Sequence, residues 1–266
     1  MDKLWLLSFN TFEDALRRKV IYILLFVALL FGIQTLYQLV YMRMAASAGE
    51  SEMLASMKGQ LVLSLFGMME FWGMLLAVFL GSVAVSSEVK SRTIIPVLSR
   101  PVERVPFFFA KWLGTLAFLT LFLAVGLAAG LAIAAYWQLY PSTVFVLGMV
   151  EMFLTVAIVS GLSLGLSSVL HPVLAGGTAL VLWFLPAFTA ELEHHPNAFL
   201  SFLALAARTI APARLDESLL ENGLLKGLTN PNYKLYLEVL VENALYAGAA
   251  VLAGALVFRR QEIAVK

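Results

Sequence analysis

The stretch SSEVKSRTIIPVLSRPVERVPFFFAKW, residues 86–112, decides the arrangement of this chain because it separates two long apolar runs. Its basic residues are Lys90, Arg92, Arg100, Arg104 and Lys111. Among them stand the apolar residues Ile94, Ile95, Val97 and Leu98. A loop surrounded only by water has no reason to display such apolar side chains. The stretch is therefore predicted to be an ordered element that contacts a partner.

The composition places the chain in the membrane. Of its 266 residues 61% are hydrophobic and only 13% are charged, and the mean hydropathy is +0.88, whereas charged residues make up roughly a quarter of a soluble domain. The absence of cysteine excludes disulfides and thiolate metal sites. Glu13 and Asp14 stand where a signal peptide would have its apolar core, so we expect the amino terminus to be retained.

The apolar runs predict an all-α membrane protein, a single domain over residues 1–266, because about 20 apolar residues are needed to span the hydrocarbon as a helix. Six runs meet that length. The predicted spans are Val20–Met42, Leu61–Ser86, Pro106–Trp137, Thr143–Leu170, Pro172–Ala190 and Val239–Phe258. Residues 43–60 are interpreted as a short polar loop.

The basic residues predict the orientation of these spans. With both termini in the cytoplasm, twelve basic residues lie inside and six outside, which agrees with the positive-inside rule. Residues 1–19, with Trp5, Phe9 and Phe12 at helical spacing, are predicted to form an interfacial helix on the cytoplasmic face. Residues 87–105 are then a cytoplasmic link. Residues 191–238 are predicted to form short helices against the outer end of the bundle.

Catalysis by this chain is not expected, because it has no GxxxxGK[ST] phosphate loop, no GxSxG and no HExxH. The chain is therefore predicted to be a non-enzymatic subunit without a cofactor of its own. His194 and His195 are weak metal candidates, since adjacent histidines seldom converge on one ion.

Four polar residues inside the spans form a predicted layer in the outer half of the membrane: Gln34, Gln38, Glu70 and Glu151. Charged groups at this depth cost a few kcal/mol, and we expect no Lys or Arg within the spans to pair with the two glutamates. Two interpretations remain open. The residues line a polar pathway or gate, or they form ordinary structural hydrogen bonds.

Small residues in the third and fourth spans predict close helix packing. Gly126 and Gly130, and likewise Gly161 and Gly165, are four residues apart. The neighbouring hydroxyls are expected to donate hydrogen bonds between helices; they belong to Ser160, Ser163, Ser167 and Ser168.

The stretch from which we started resembles the link between the second and third spans of ABC-2-type ABC transporter membrane subunits. That link has, in order, an acidic residue, a basic residue with Thr, two aliphatic residues, a small residue followed by Pro, Arg and Lys. Here the matching positions are Glu88, Arg92-Thr93, Val97-Leu98, Ser99-Arg100-Pro101, Arg104 and Lys111. Ser91 and Pro96 depart from the pattern. The six spans, the long outside segment and the basic end also fit the family layout.

The resemblance implies a permease subunit, expected in the prokaryotic inner membrane, that pairs with a second permease subunit as a homodimer or heterodimer. Two separately encoded cytosolic ATPases would bind ATP and Mg and drive export. The coupling helix of the link would dock on the ATPase. The residues assigned to docking and anchoring are Glu88, Arg92, Thr93, Ile94, Ile95, Val97, Leu98, Arg100, Pro101, Arg104 and Lys111. The other expected partners are lipid and an outside accessory protein, but not nucleic acid.

Two alternatives keep the membrane architecture but change the function. Some ABC-2 relatives serve cofactor maturation, such as copper-site assembly, or pass mechanical work to outside partners. A stand-alone channel or ion-coupled secondary carrier would instead use Glu70 and Glu151 directly. Secondary carriers often contain inverted repeats and broken spans, and neither is evident here.

Overall fold

The computed structural model describes residues 2–17, 20–47, 51–84, 104–136, 143–189, 197–211 and 233–260. Every regular element in these ranges is an α-helix. We number the helices α1 (Asp2–Arg17), α2 (Val20–Ser47), α3 (Ser51–Ala84), α4 (Arg104–Tyr136), α5 (Thr143–Ser167), α6 (Pro172–Thr189), α7 (Ala198–Ile210) and α8 (Tyr233–Arg260). The predicted all-helical architecture is confirmed for the described part of the chain.

Four of these helices contain stretches that are long and apolar enough to cross a membrane: Lys58–Ala84, Val105–Tyr136, Phe145–Ser167 and Lys234–Arg260. They lie in α3, α4, α5 and α8. Pro172–Leu185 of α6 is a shorter apolar helix. The six-span topology as a whole therefore stays a prediction.

Two helices begin earlier than the hydropathy pattern predicts. The interpretation of residues 43–60 as a polar loop is wrong, because α2 continues to Ser47 and α3 begins at Ser51. Ala, Met, Glu and Leu are strong helix formers, so the helices continue beyond their apolar parts. For the same reason α8 begins at Tyr233, six residues before the predicted span.

Helix α5 lies at the centre of the bundle, where it packs against α3, α4, α6 and α8. Its side chains are buried over most of its length, including Val156, Ile158 and Leu164. Helix α1 packs along α4, and α7 packs against α6. A helix that is apolar on all sides requires such a central position or a lipid environment.

The predicted glycine positions are sites of close approach. A Cβ atom on Gly130 would lie 2.8 Å from the Phe66 ring, and one on Gly126 would collide with Met69. In α5, a Cβ atom on Gly165 would lie 3.1 Å from the Ala250 carbonyl oxygen of α8. These glycines let α4 approach α3 and let α5 approach α8, as small residues do in membrane bundles.

The serine hydroxyls divide into two groups. Ser163 Oγ donates a 2.9 Å hydrogen bond to the Val78 carbonyl of α3, and Ser160 Oγ accepts one from Trp112 of α4. These two bonds join different helices, as predicted. Ser167 and Ser168 instead donate to the carbonyls of Leu164 and Gly165 within the same turn of chain.

Candidate functional site: the amino-terminal end of α4 and the polar residues of the spans

Most of the predicted docking residues lie outside the described ranges. This holds for Glu88, Arg92, Thr93, Ile94, Ile95, Val97, Leu98, Arg100 and Pro101, and also for His194 and His195. Arg104 is the first residue of α4, and Lys111 lies two turns further along the same helix. The docking and metal assignments thus stay predictions, and the described site begins at α4.

Lys111 is buried, although the sequence pattern assigns it to the basic link. Its side chain is only 5% exposed, and its Nζ lies 5.6 Å from the centroid of the Phe107 ring. That distance allows a cation–π attraction, which is stronger when the cation is desolvated. The expectation that no Lys or Arg lies within the spans is wrong, because Lys111 lies inside the predicted third span, Pro106–Trp137, and inside the α4 stretch Val105–Tyr136.

Aromatic rings around Lys111 connect α4 to the end of α8. The Phe107 ring stacks on Phe258 with a centroid distance of 6.2 Å and an interplanar angle of 24°. Phe108 also contacts Phe258, at 5.9 Å. All three rings are buried. Since aromatic pairs at 4.5–7 Å attract beyond their area burial, this cluster holds the beginning of α4 against the end of α8.

The same two turns of α4 also hold α5 and α1. Trp112 Nε1 donates a 3.2 Å hydrogen bond to Ser160 Oγ of α5. On another side of α4, a Cβ atom on Gly114 would collide with the Ser8 carbonyl and lie 2.6 Å from Thr11 Cβ. Helix α1 therefore rests in a notch at Gly114. Three helices meet at the beginning of α4.

Helix α1 contacts α4 through its small residues Ser8 and Thr11 and through the Phe12 ring, whereas other large side chains of α1 face outward. Thr11 is buried and satisfies its hydroxyl by donating to the Leu7 carbonyl at 2.9 Å. Trp5 and Phe9 are exposed. Outward aromatic side chains suit a helix at a membrane interface, but the interfacial position itself stays a prediction.

Within the predicted polar layer, Gln38 forms a hydrogen bond between two helices. Gln38 Nε2 of α2 donates to Ser64 Oγ of α3 at 2.8 Å, and Ser64 Oγ donates to the Leu61 carbonyl. Gln38 Oε1 is buried and has no hydrogen-bond partner among the described residues. An amide oxygen in this state favours a donor from water or a ligand.

Glu70 of α3 and Glu151 of α5 lie at similar height, but Glu151 is not on the side of α5 that meets α3. A Cβ atom on Gly73 would lie 3.1 Å from Val156 Cγ2, so these positions are level. Glu70 precedes Gly73 by three residues and Glu151 precedes Val156 by five, so their heights differ by about 3 Å at 1.5 Å per residue. Five residues turn an α-helix by about 140°. The Glu151 side of α5 therefore differs from the side that meets α3.

Glu151 instead shares the α5–α8 seam with Asn243, which the sequence analysis missed. Gly165 of α5 contacts Gly254 of α8. Glu151 lies fourteen residues before Gly165, close to four turns, and Asn243 lies eleven residues before Gly254, close to three turns. Both residues therefore lie along the seam, at heights that differ by about 4.5 Å.

Asn243 is 2% exposed, and its Oδ1 has no hydrogen-bond partner within the described ranges. The available sequence signal was an amide inside an apolar span. An uncharged amide at this depth is a weaker signal of function than an ionisable residue.

The arrangement offers hydrogen bonding and mechanical connection between helices. Within the part of the chain that the structure describes, no group of three or more His, Asp or Glu side chains could hold a metal ion. The acidic and amide groups of the spans can bind water or hydrogen-bond donors. The beginning of α4 can transmit displacement, because its contacts reach α1, α5 and α8 together.

The helices and their apolar stretches define a multi-pass membrane protein. Residues 5–195 match the model of a family described as ABC-2 family transporter protein. This match covers more than two thirds of the chain, and the chain belongs to that family. It is therefore a transmembrane ABC transporter subunit that does not itself catalyse a reaction. No curated protein matches the chain.

Proposed function

We propose that the chain is the permease subunit of an ATP-driven exporter in a prokaryotic inner membrane. In this proposal it has six spans with both termini in the cytoplasm. Two permease subunits assemble with two separate cytosolic ATPases, which bind ATP and Mg. Membership of the ABC-2 family supports the association with ATPases and with a second permease. Export is the direction that we propose from the resemblance described above.

In this proposal residues 87–105 carry the coupling helix, and the packing of α4 supports that role. The link leads directly into Arg104, the first residue of α4. Within the next ten residues α4 contacts Phe258 of α8, Ser160 of α5 and Ser8 of α1. A displacement of the link would therefore move three helices together. This junction is the observation that carries the proposal.

Lys111 and Arg104 act here as anchors rather than as direct ATPase ligands. Displacing the buried Lys111 side chain would break its contact with the Phe107 ring and disturb the packing around it. The helix would consequently move as a unit around this point. Docking itself is assigned to the residues from Glu88 to Pro101.

The polar residues of the spans are proposed to form two separate hydrated regions of a pathway or gate. Gln34, Gln38 and Glu70 belong to the side of α2 and α3. Glu151 belongs to the α5–α8 seam with Asn243. Because the two glutamates differ in height by only about 3 Å, movement of α5 would alter both regions at once. The amide oxygens of Gln38 and Asn243 are buried and have no hydrogen-bond partner among the described residues, which supports hydration at these places.

The docking assignment is tested by co-purification with the ATPase encoded nearest in the genome. We expect Ile95→Asp and Arg92→Glu to abolish complex formation and the stimulation of ATPase activity. The matched control is Lys234→Glu, a charge reversal at an exposed residue at the opposite end of the bundle. This control should bind the ATPase normally. Normal binding and stimulation by both link variants would show that the docking assignment is wrong.

A further inference from the structure

Helix α7 lies in the segment predicted to cover the outer end of the bundle, yet it has no polar side in its first ten residues. It begins at a defined N-cap, where Asn197 Oδ1 accepts a 3.0 Å hydrogen bond from the Phe199 backbone N–H. No charged residue occurs between Ala198 and Ala207. Ser201 is the one hydroxyl residue in that range. Such a helix is unsuited to lie freely in water.

The orientation of α7 is set by its small residues. Ala204 and Ala211 are buried, and α7 packs against α6. Alanine allows close approach of two helices, so this side of α7 belongs to the bundle. The large side chains are thereby directed away from it.

The outward side of α7 is a stripe of large apolar side chains, which we call the α7 stripe: Phe199, Phe202 and Leu205. Phe199 is 68% exposed and Phe202 is 67% exposed. Residues three apart on a helix differ by about 60° in direction, so the stripe is about 120° wide. That width is typical of a helix face that is covered by an apolar phase.

We propose that outer-leaflet lipid covers the α7 stripe, so that α7 is anchored in the membrane rather than standing free as a lid. The stripe lies beside α6, whose own outward residues, such as Val181, are equally apolar and exposed. Phenylalanine rings at the end of an apolar helix fit the boundary between acyl chains and headgroups.

A soluble partner or a second copy of the chain fits the α7 stripe less well. Protein interfaces carry hydrogen bonds as well as apolar contacts, about one for each 100–200 Å². The stripe offers no donor or acceptor side chain among its three residues. Lipid makes no such demand. Contact with lipid is independent of the proposed function; only the choice of the outer leaflet rests on the proposed topology.

The consequence concerns the predicted outside segment. If residues 198–210 are in lipid, any outside accessory protein must bind elsewhere in residues 191–238. The α7 stripe would instead hold the outer end of α6 in place at the membrane surface.

The natural absence of cysteine allows a direct test. Phe202→Cys in the full-length chain is spin-labelled in liposomes, and its relaxation by oxygen is compared with that by a water-soluble nickel chelate. Val181→Cys is the lipid-facing control, since Val181 is 61% exposed on α6. Lys234→Cys is the water-facing control. Phe199→Cys repeats the measurement at a second position of the stripe.

We expect the labels at Phe202 and Phe199 to respond several-fold more to oxygen than to the nickel chelate, like the label at Val181. A response like that at Lys234 would place the stripe in water and overturn the proposal. Protection from both reagents together with spin–spin broadening would show contact with a second copy, which would also overturn it. Binding of the ATPase is measured on the same samples, so failure of the proposed function is distinguished from failure of the lipid assignment.

Discussion

Replacing Gly114 with alanine should separate α1 from α4 and weaken the junction at the beginning of α4. The added Cβ atom would collide with the Ser8 carbonyl and lie 2.6 Å from Thr11 Cβ. Both are parts of a helix rather than flexible ends of long side chains, so α1 must shift. The ring contact between Phe12 and Phe118, now at a centroid distance of 6.3 Å, would be weakened by that shift.

The magnitude follows from three terms. Overpacking costs about 1–3 kcal/mol, and loss of an aromatic contact costs about 0.5–1.5 kcal/mol. Replacement of glycine by alanine within a helix returns about 1 kcal/mol. The net destabilisation is therefore about 0.5–3.5 kcal/mol, with a middle value of about 2 kcal/mol. For a chain of this length that corresponds to a fall in Tm of roughly 5 °C.

The assay is thermal unfolding of the purified full-length chain in detergent, combined with stimulation of the partner ATPase. Gly67→Ala is the matched control, because nothing lies within 4 Å of the position of its added Cβ atom. This control should keep or slightly raise the Tm. Equal Tm values for the two variants, with ATPase stimulation unchanged, would refute the notch at Gly114 and the role of α1 in the junction.

Three further predictions concern polar side chains. Asn243→Leu removes a buried amide whose Oδ1 has no partner among the described residues. We therefore expect about 1 kcal/mol of added thermal stability, together with lower transport. Unchanged transport would show that Asn243 has no role in the pathway or gate. Glu70→Gln and Glu151→Gln are each expected to lower transport, and if neither changes transport at any pH the ionisable layer is refuted. Trp112→Phe keeps a six-membered aromatic ring but removes the donor to Ser160 Oγ together with part of the indole volume, so the loss of stability should exceed the about 0.6–1 kcal/mol of the bond itself. An equal loss in a background that already contains Ser160→Ala would contradict the bond.

Helix positions were largely predictable because the signal is local. The predicted third span, Pro106–Trp137, differs from α4 by two residues at its start and one at its end. The predicted fifth span differs from α6 by one residue at its end. Apolar length reveals such helices because every backbone group is satisfied within the segment. Apolar length does not predict where α3 begins, because a polar but helix-forming sequence extends this helix beyond its apolar run.

The candidate site was less predictable, because membership of a site depends on which helices become neighbours. In the sequence, Lys111 is one of the basic residues of the stretch 86–112. In the structure, its side chain is buried next to Phe107. From their depth alone Glu70 and Glu151 form one pair, yet Glu151 is not on the side of α5 that meets α3. Asn243 attracts attention only when its burial and its unpaired Oδ1 are known. Neither the partners nor the direction of a side chain follows from its depth alone.

The sequence by itself determined that this is an all-helical membrane protein, and the motif in residues 88–111 identified the ABC-2 resemblance. Composition, apolar length and residue order suffice for these conclusions, because each depends on one segment and its solvent. Only the tertiary structure decided that the stretch quoted at the outset leads into a junction of four helices. That outcome depends on Gly114, Trp112 and Phe107 meeting residues that are distant in the chain, and no local pattern specifies which surfaces will pack together.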